Sequence, residues 1–130
     1  KCVFCEEEEE SMSHVFFNCS RIYPIWLTCY RWVRVYMVLH QDPKQNFIQH
    51  GKLRLQGLDV GAWMTIWCSI LWNVWRARNN IIFNGSSFDY DSVMQNVIFF
   101  CWWWLYKVNK GTKFNLSQWV SNIQTCIRIQ

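Results

Sequence analysis

The chain has 130 residues, 52% of them hydrophobic and 18% aromatic, enough for one core that needs no disulfide to hold it. Its formal charge of +4 hides a split: Glu6 to Glu10 supply most of the acids, and from Ser11 onward twelve Lys and Arg face only Asp42, Asp59, Asp89 and Asp91. No basic segment, apolar run and small-residue cleavage site follow one another, and the longest apolar stretch, VIFFCWWWLY (Val97 to Tyr106), is far short of the ~20 residues a bilayer span needs, so neither a secretory signal nor a membrane span is expected in these residues.

An intracellular chain, nuclear or cytoplasmic, is therefore expected. The seven cysteines then belong to a reducing compartment, where clustered Cys and His bind metal more often than they form disulfides. The N-x-S matches at Asn18, Asn84 and Asn115 have no secretory route to give them meaning. Lys1 in place of an initiator Met, with a candidate ligand already at position 2, points to a fragment of a longer polypeptide.

The first element is a cysteine knuckle. Cys2 and Cys5 are two residues apart, which lets both thiolates reach one ion across a tight turn, with a short strand pair as one way to build it. His14 and Cys19 complete Cys2-x2-Cys5-x8-His14-x4-Cys19, a closed four-ligand set of the structural zinc type. Ser13 is placed to cap a short helix starting at His14. On an ideal α-helix residues five apart diverge by roughly 140°, so Cys19 has to leave that helix to share an ion with His14. A bare pair of incidental cysteines is the alternative; a redox pair is disfavoured because no β-α-β pattern surrounds it. Glu9 and Glu10 sit where they favour the positive end of the short helix.

Helical rhythm follows. SRIYPIWLTCYRWVRVYMV repeats Ile22, Ile25, Trp26, Cys29, Val33 and Tyr36 at three- and four-residue steps, with Pro24 in the first turn. HQDPKQ is a break, and PKQNFIQHGKLRLQG carries at most a short helix and a loop ending at Gly57. The longest helix is predicted over DVGAWMTIWCSILWNVWRARNN, with Asp59 as N-cap and an apolar stripe of Trp63, Ile66, Trp67, Ile70, Leu71, Val74 and Trp75. Arg76 and Arg78 fall in its last turn, and Asn79 or Asn80 suits a left-handed stop.

After a turn at FNGSS comes DYDSVMQNVIFFCWWWLYKVNK, predicted to stop at Gly111, and then a short final helix packed by Trp119. Asp89 and Asp91 are read as cap residues rather than catalytic carboxylates. Cys29, Cys68, Cys101 and Cys126 are read as small buried apolar residues. Trp102, Trp103 and Trp104 sweep about 200° of helix and cannot share one core face. Trp104 follows the stripe of Val93, Val97, Phe100 and Val108, and Trp103 lies with Phe99 and Tyr106 on a face left for a partner. The fold expected is mainly α: a small Cys-Cys-His-Cys zinc knuckle over residues 1–23, then an amphipathic helical bundle over 24–130, packed as one domain.

CVFCEEEEESMSHVFFNCSRIYPIW (Cys2 to Trp26) resembles the zinc-binding segment near the C-terminus of reverse transcriptases of plant LINE-type (non-LTR) retrotransposons. ILWNVWRARNNIIFNG (Ile70 to Gly85) is similar to the Arg-Asn-x-x-Ile-Phe signature that follows it there, and FNLSQWVSN to the closing segment. The resemblance implies a zinc-binding part of a retroelement polyprotein, with Cys2, Cys5, His14 and Cys19 as ligands and the upstream polymerase region as a partner. Polymerase and ribonuclease H chemistry need clustered carboxylates for two metal ions, and these acids offer none, so no enzyme is expected in this chain, nor a small-molecule substrate. Aromatics beside cations, as in YRWVR and WRARNN, suit RNA or DNA. Arg31, Arg34, Arg76 and Arg78 are the candidate phosphate contacts, with Lys107, Lys110 and Lys113 as a second patch, while Trp63, Trp67 and Trp75 are expected to be mostly core. A structural module docking on the polymerase, and a decayed remnant without selected function, are the other readings.

Overall fold

The computed structural model describes residues 1–35, 40, 42–55, 57–107 and 114–128. Elements run in the order of a π-helical turn His14–Asn18, then α1 (Tyr23–Val33), α2 (Pro43–Gly51), α3 (Val60–Asn84), α4 (Tyr90–Trp102) with a π-helical continuation Trp103–Lys107, α5 (Leu116–Ser121) and α6 (Ile123–Cys126). The architecture is mainly α, with a Cys-His cluster at its N-terminal end. No strand occurs among the described residues, only an isolated bridge between Leu58 and Arg128. The strand pair expected at Cys2 and Cys5 is instead a series of turns. No helix among the described residues is long and apolar enough to cross a membrane.

Helix α1 ends where Arg34 takes a left-handed conformation (φ 58°). Ile22, Ile25, Trp26, Cys29 and Val33 are buried as their spacing predicts, while Tyr36 lies outside the described residues. Asp42 caps α2 by accepting from the Gln45 N–H at 3.1 Å. His50 near its end is enclosed by the rings of Trp26, Tyr30 and Trp63, each 5.6 Å away. Its Nδ1–H donates to the Asn46 carbonyl at 2.8 Å, so Nε2 accepts from the Tyr30 hydroxyl at 2.8 Å. Burial holds His50 below its ordinary pKa and pushes the Tyr30 hydroxyl well up.

Asp59 caps α3 by accepting from the Ala62 N–H at 3.1 Å, as the sequence predicts. The stop is different: α3 runs past Asn79 and Asn80 to Asn84 and ends at Gly85, whose positive φ of 67° a side chain would strain. The Asn80 carbonyl still receives the capping N–H groups of Gly85 and Ser86. Arg76 and Arg78 consequently sit more than a turn inside the helix end.

The apolar stripe is also rotated from its predicted position. Trp63, Ile66, Ile70 and Val74 are buried, but so are Ser69 and Asn73, whereas Leu71 and Trp67 are half-buried and Trp75 is 44% exposed. The cause is the α3–α4 hairpin, the most extensive packing in the molecule. Ser69 Oγ donates to the Val97 carbonyl at 2.9 Å, and Asn73 Nδ2 donates back to the Ser69 carbonyl at 2.8 Å. Two small polar side chains with internal partners thus carry the close contact, and burial there is affordable only because they are satisfied.

Asp89 caps α4, accepting from the Asp91 N–H and the Ser92 hydroxyl. Its buried face is Val93, Met94, Val97 and Cys101; Trp104 is off that face, half-buried, with its ring 5.8 Å from Phe100. Val108 and Gly111 lie outside the described residues. Cys29, Cys101 and Cys126 are buried, but Cys68 is exposed, on the side of α3 opposite the rotated stripe. Trp119 is fully buried and donates its indole N–H to the Ile98 carbonyl at 2.9 Å, fixing α5 on α4. The Asp59 N–H donates to the Ile127 carbonyl at 2.9 Å, joining the start of α3 to the end of α6.

Candidate metal centre

The first half of the centre is a loop folded back on itself. The Cys2 N–H donates to the Glu8 carbonyl at 2.8 Å and the Glu6 N–H to the Cys2 carbonyl at 2.9 Å. Glu6 is left-handed (φ 59°), the turn conformation that aims successive N–H groups at an anion. Here that anion is the Cys5 thiolate: the backbone N–H groups of Glu7 and Glu8, more than any other contact, lower the Cys5 pKa to about 6. The backbone donors of Glu7 and Glu8 thus face inward, toward the Cys5 sulfur. Phe4 anchors the turn by packing edge-on against Phe88, 5.4 Å between centroids.

The second half depends on the wide turn at His14–Asn18. Ser13 makes no capping bond; the helical segment begins two residues before His14, at Met12, and Ser11 Oγ accepts from the His14 N–H at 3.0 Å. The Cys19 N–H donates to the His14 carbonyl at 2.8 Å, an i→i+5 closure that brings residues five apart round to one side. Cys19 itself has left the helix (ψ 134°). Val15 and Phe17 point into the core, and the Trp26 indole N–H donates to the Phe16 carbonyl at 2.7 Å, tying the turn to α1.

These two halves put Cys2 Sγ, Cys5 Sγ, a His14 ring nitrogen and Cys19 Sγ all within 4.8 Å of one another. Cys5 Sγ is 3.4 Å from His14 Nε2, and Cys2 Sγ is 3.8 Å from Cys19 Sγ. Burial pushes the Cys19 thiol up to about 12, so an ion binding there has to displace its proton. Three sulfurs and one imidazole, with no ligand position left over, are a donor set that fits a soft or borderline ion held for structure.

His14 Nδ1 is buried and has no aligned hydrogen-bond partner among the described residues, yet Glu8 Oε2 lies 3.3 Å from it. Nε2 faces the sulfurs and Nδ1 faces a carboxylate, the arrangement that orients an imidazole ligand from behind. Glu10 has a different role from the helix-end one expected of it: its Oε1 lies 2.6 Å from one terminal nitrogen of Arg78 and accepts from Nε at 2.8 Å. Neither contact was legible in a run of five identical residues.

The other candidate residues do not gather at this centre. Arg31 and Arg34 are exposed at the end of α1, Arg76 is exposed on α3 with its guanidinium 5.2 Å from the Phe100 ring centroid, and Lys107 is exposed where the α4 continuation ends. Arg78, paired with Glu10, also covers the Trp75 ring at 5.0 Å. Lys110 and Lys113 lie outside the described residues. Sequence reading missed the polar recess beside Arg76, about 220 Å3 between α3, the 85–89 loop and α4, because its amides come from both helices of the hairpin. Comparison of the chain with protein-family models, curated proteins and solved structures finds no match.

Proposed function

We propose that the chain is a non-catalytic, zinc-clipped helical module of a LINE-type reverse transcriptase polyprotein, and that it helps to hold RNA or target DNA. The observation that carries this reading is the convergence of Cys2, Cys5, His14 and Cys19 within 4.8 Å, at the spacing on which the family resemblance rests. Zinc bound there acts as a structural cross-link. Cys2, Cys5 and Cys19 supply thiolates, His14 supplies Nε2, and Glu8 orients the ring from its far side.

Three thiolates, a neutral imidazole and Zn2+ sum to about −1, and Glu6 to Glu9 add exposed carboxylates beside them, Glu10 being paired with Arg78. This face repels phosphate. The nucleic-acid contact is therefore assigned to the basic helical body, with Arg31, Arg34, Arg76 and Lys107 as its described cations and Lys110 and Lys113 completing the set. The test has two parts. Purified protein should carry about one zinc per chain, as a closed four-ligand site requires, and Cys5→Ser should carry almost none. The zinc-loaded protein should bind mixed-sequence RNA or DNA with an affinity that falls steeply with salt; no binding at low salt refutes the nucleic-acid assignment.

A second reading, docking on the polymerase region, is favoured by Phe99, Trp103 and Phe83, which are 37%, 40% and 75% exposed. It predicts capture of the upstream polypeptide that survives nuclease and fails in Trp103→Ala.

A further inference from the structure

The recess beside Arg76 is lined by the polar Asn73, Asn80, Asn96 and Ser86 as well as by the apolar Ala77, Phe88 and Val93. At about 220 Å3 it is smaller than the ~300–1,000 Å3 of sites for drug-sized ligands, so it suits one ring or sugar. Asp89 also borders it, but that carboxylate already accepts from the Asp91 N–H and the Ser92 hydroxyl. The Asn73 amide nitrogen is held by Ser69, and Asn80 Oδ1 accepts from Asn84 at 2.9 Å. Two of the three lining amides are thus held in place before anything enters. Arg76 pairs with no carboxylate among the described residues.

The same guanidinium lies over Phe100 and leads out of the recess onto a row of rings. Phe100 meets Trp104 at 5.8 Å, and Phe99 stacks with Trp103 at 6.1 Å and 28°. A recess with amide and apolar lining, the Arg76 cation among its lining residues and the exposed rings of Phe99 and Trp103 nearby match the three parts of an unpaired nucleotide: a base with polar edges and apolar faces, a phosphate, and adjoining flat faces. A paired base cannot present its edge to so small a recess. An apolar side chain from a protein partner would desolvate the amides without giving them hydrogen bonds.

We propose that this recess takes the base of one unpaired nucleotide, with Arg76 at its phosphate and adjoining bases stacked on the exposed rings of Phe99 and Trp103. The proposal rests on the nucleic-acid reading above and specifies its contact. Asn80 and Asn96 are exposed, so their alanine variants keep the fold, and circular dichroism checks this directly.

The test measures anisotropy of labelled rA, rC and rU homopolymers with the zinc-loaded full chain, across a salt series. Asn80→Ala with Asn96→Ala should narrow the spread between best and worst homopolymer by about tenfold and leave the salt slope unchanged, because base contacts carry discrimination. Arg76→Ala should weaken all three homopolymers and reduce the slope by about 0.7, the value for one phosphate of a single strand. Phe99→Ala with Trp103→Ala should weaken all three by roughly tenfold or more. If the Asn variants discriminate as the wild type does, or if duplex competes as well as single strand, the recess is not the site, while salt-dependent binding leaves the broader reading standing. If the wild type binds no homopolymer and no mixed strand at low salt, both fall.

Discussion

The knuckle of residues 1–22 and the α3–α4 hairpin hold their shapes by opposite means. The hairpin is capped at three points, by Asp59, Gly85 and Asp89, and buries a continuous face of Trp63, Ile66, Ile70, Val74, Val93 and Val97. The knuckle has one side-chain cap, at Ser11, one five-residue turn and a handful of inward side chains: Phe4, Val15, Phe17 and Ile22. Its remaining buried positions are Cys2, His14 and Cys19 of the candidate metal centre. Where apolar area is scarce, an ion that binds only the folded form supplies the missing free energy; where it is plentiful, polar residues such as Asn80 and Asn96 can be spent on a surface. The difference suggests that metal should govern one region and leave the other nearly untouched.

The most direct way to break that contrast is to remove the ion. Cys5→Ser, or chelation of the wild type, should release zinc and expose residues 1–22 to rapid amide exchange, while α3 and α4 keep their protection. Uniform loss of protection would mean that the hairpin also depends on the ion. Next in size is Trp26→Ala. Trp26 is fully buried, meets Phe17 at 5.4 Å and bonds the Phe16 carbonyl from α1, so it belongs to both regions. Denaturant unfolding should show a loss of about 3–5 kcal/mol, the range for deleting a buried Trp, together with weaker zinc retention. A stability loss with unchanged retention would separate the regions more sharply than proposed.

Much of this was legible from the sequence, and the failures have specific causes. The Cys2, Cys5, His14 and Cys19 cluster, the Asp59 cap and the burial of Trp119 follow from local spacing or local chemistry, which the chain carries in short windows. Apolar spacing alone puts Trp75 on the inner stripe, but polar Ser69 and Asn73 are buried there instead, which the facing Val97 carbonyl and the Ser69 acceptors make tolerable. Asn79 or Asn80 is a reasonable stop by type, but Gly85 takes the left-handed position at lower cost. The i→i+5 turn that lets Cys19 rejoin His14 has no composition signal. Nor has the division of labour among Glu7, Glu8 and Glu10, which is set by partners up to 68 residues away.

Glu8 sharpens the comparison from within the knuckle. Glu8→Gln removes the charge facing His14 Nδ1 and keeps an acceptor; Glu8→Ala removes both. Losses at outer positions of metal sites run to 10–100-fold in affinity, so competition with a chelator should place Ala below Gln and Gln below wild type. Glu7→Gln should match the wild type, since Glu7 acts through its backbone. Equal affinities for all four proteins would leave the His14 ring oriented by Ser11 and packing alone.

A smaller effect tests the helical side. His50 is buried neutral and its folded pKa lies below the ordinary 6.5. Above that value neither state carries the proton and stability is unaffected. As pH falls through 6.5 the unfolded chain takes up a proton that the folded chain resists, so stability is lost on acidification, by at most about 1.4 kcal/mol per pH unit from this residue. His50→Gln should flatten that component in acid titrations followed by α2 amide exchange. An unchanged slope would show that other groups control it.

The smallest expected effect bears most directly on whether the two regions are separable. Glu10 and Arg78 connect the acidic loop to α3, with both contacts on one carboxylate oxygen and both side chains partly open to solvent. Exposed pairs of this kind contribute about 0.2–1 kcal/mol, and salt weakens them. A double-mutant cycle of Glu10→Gln and Arg78→Gln should give a coupling in that range at low salt and less at high salt. Repeating the cycle in the Cys5→Ser background decides the point. If the ligands hold the loop in place, Glu10 loses its position when the ion is lost and the coupling falls to zero. A coupling that persists would mean that the Arg78 contact holds the loop without the metal, and that part of the knuckle's shape belongs to the hairpin.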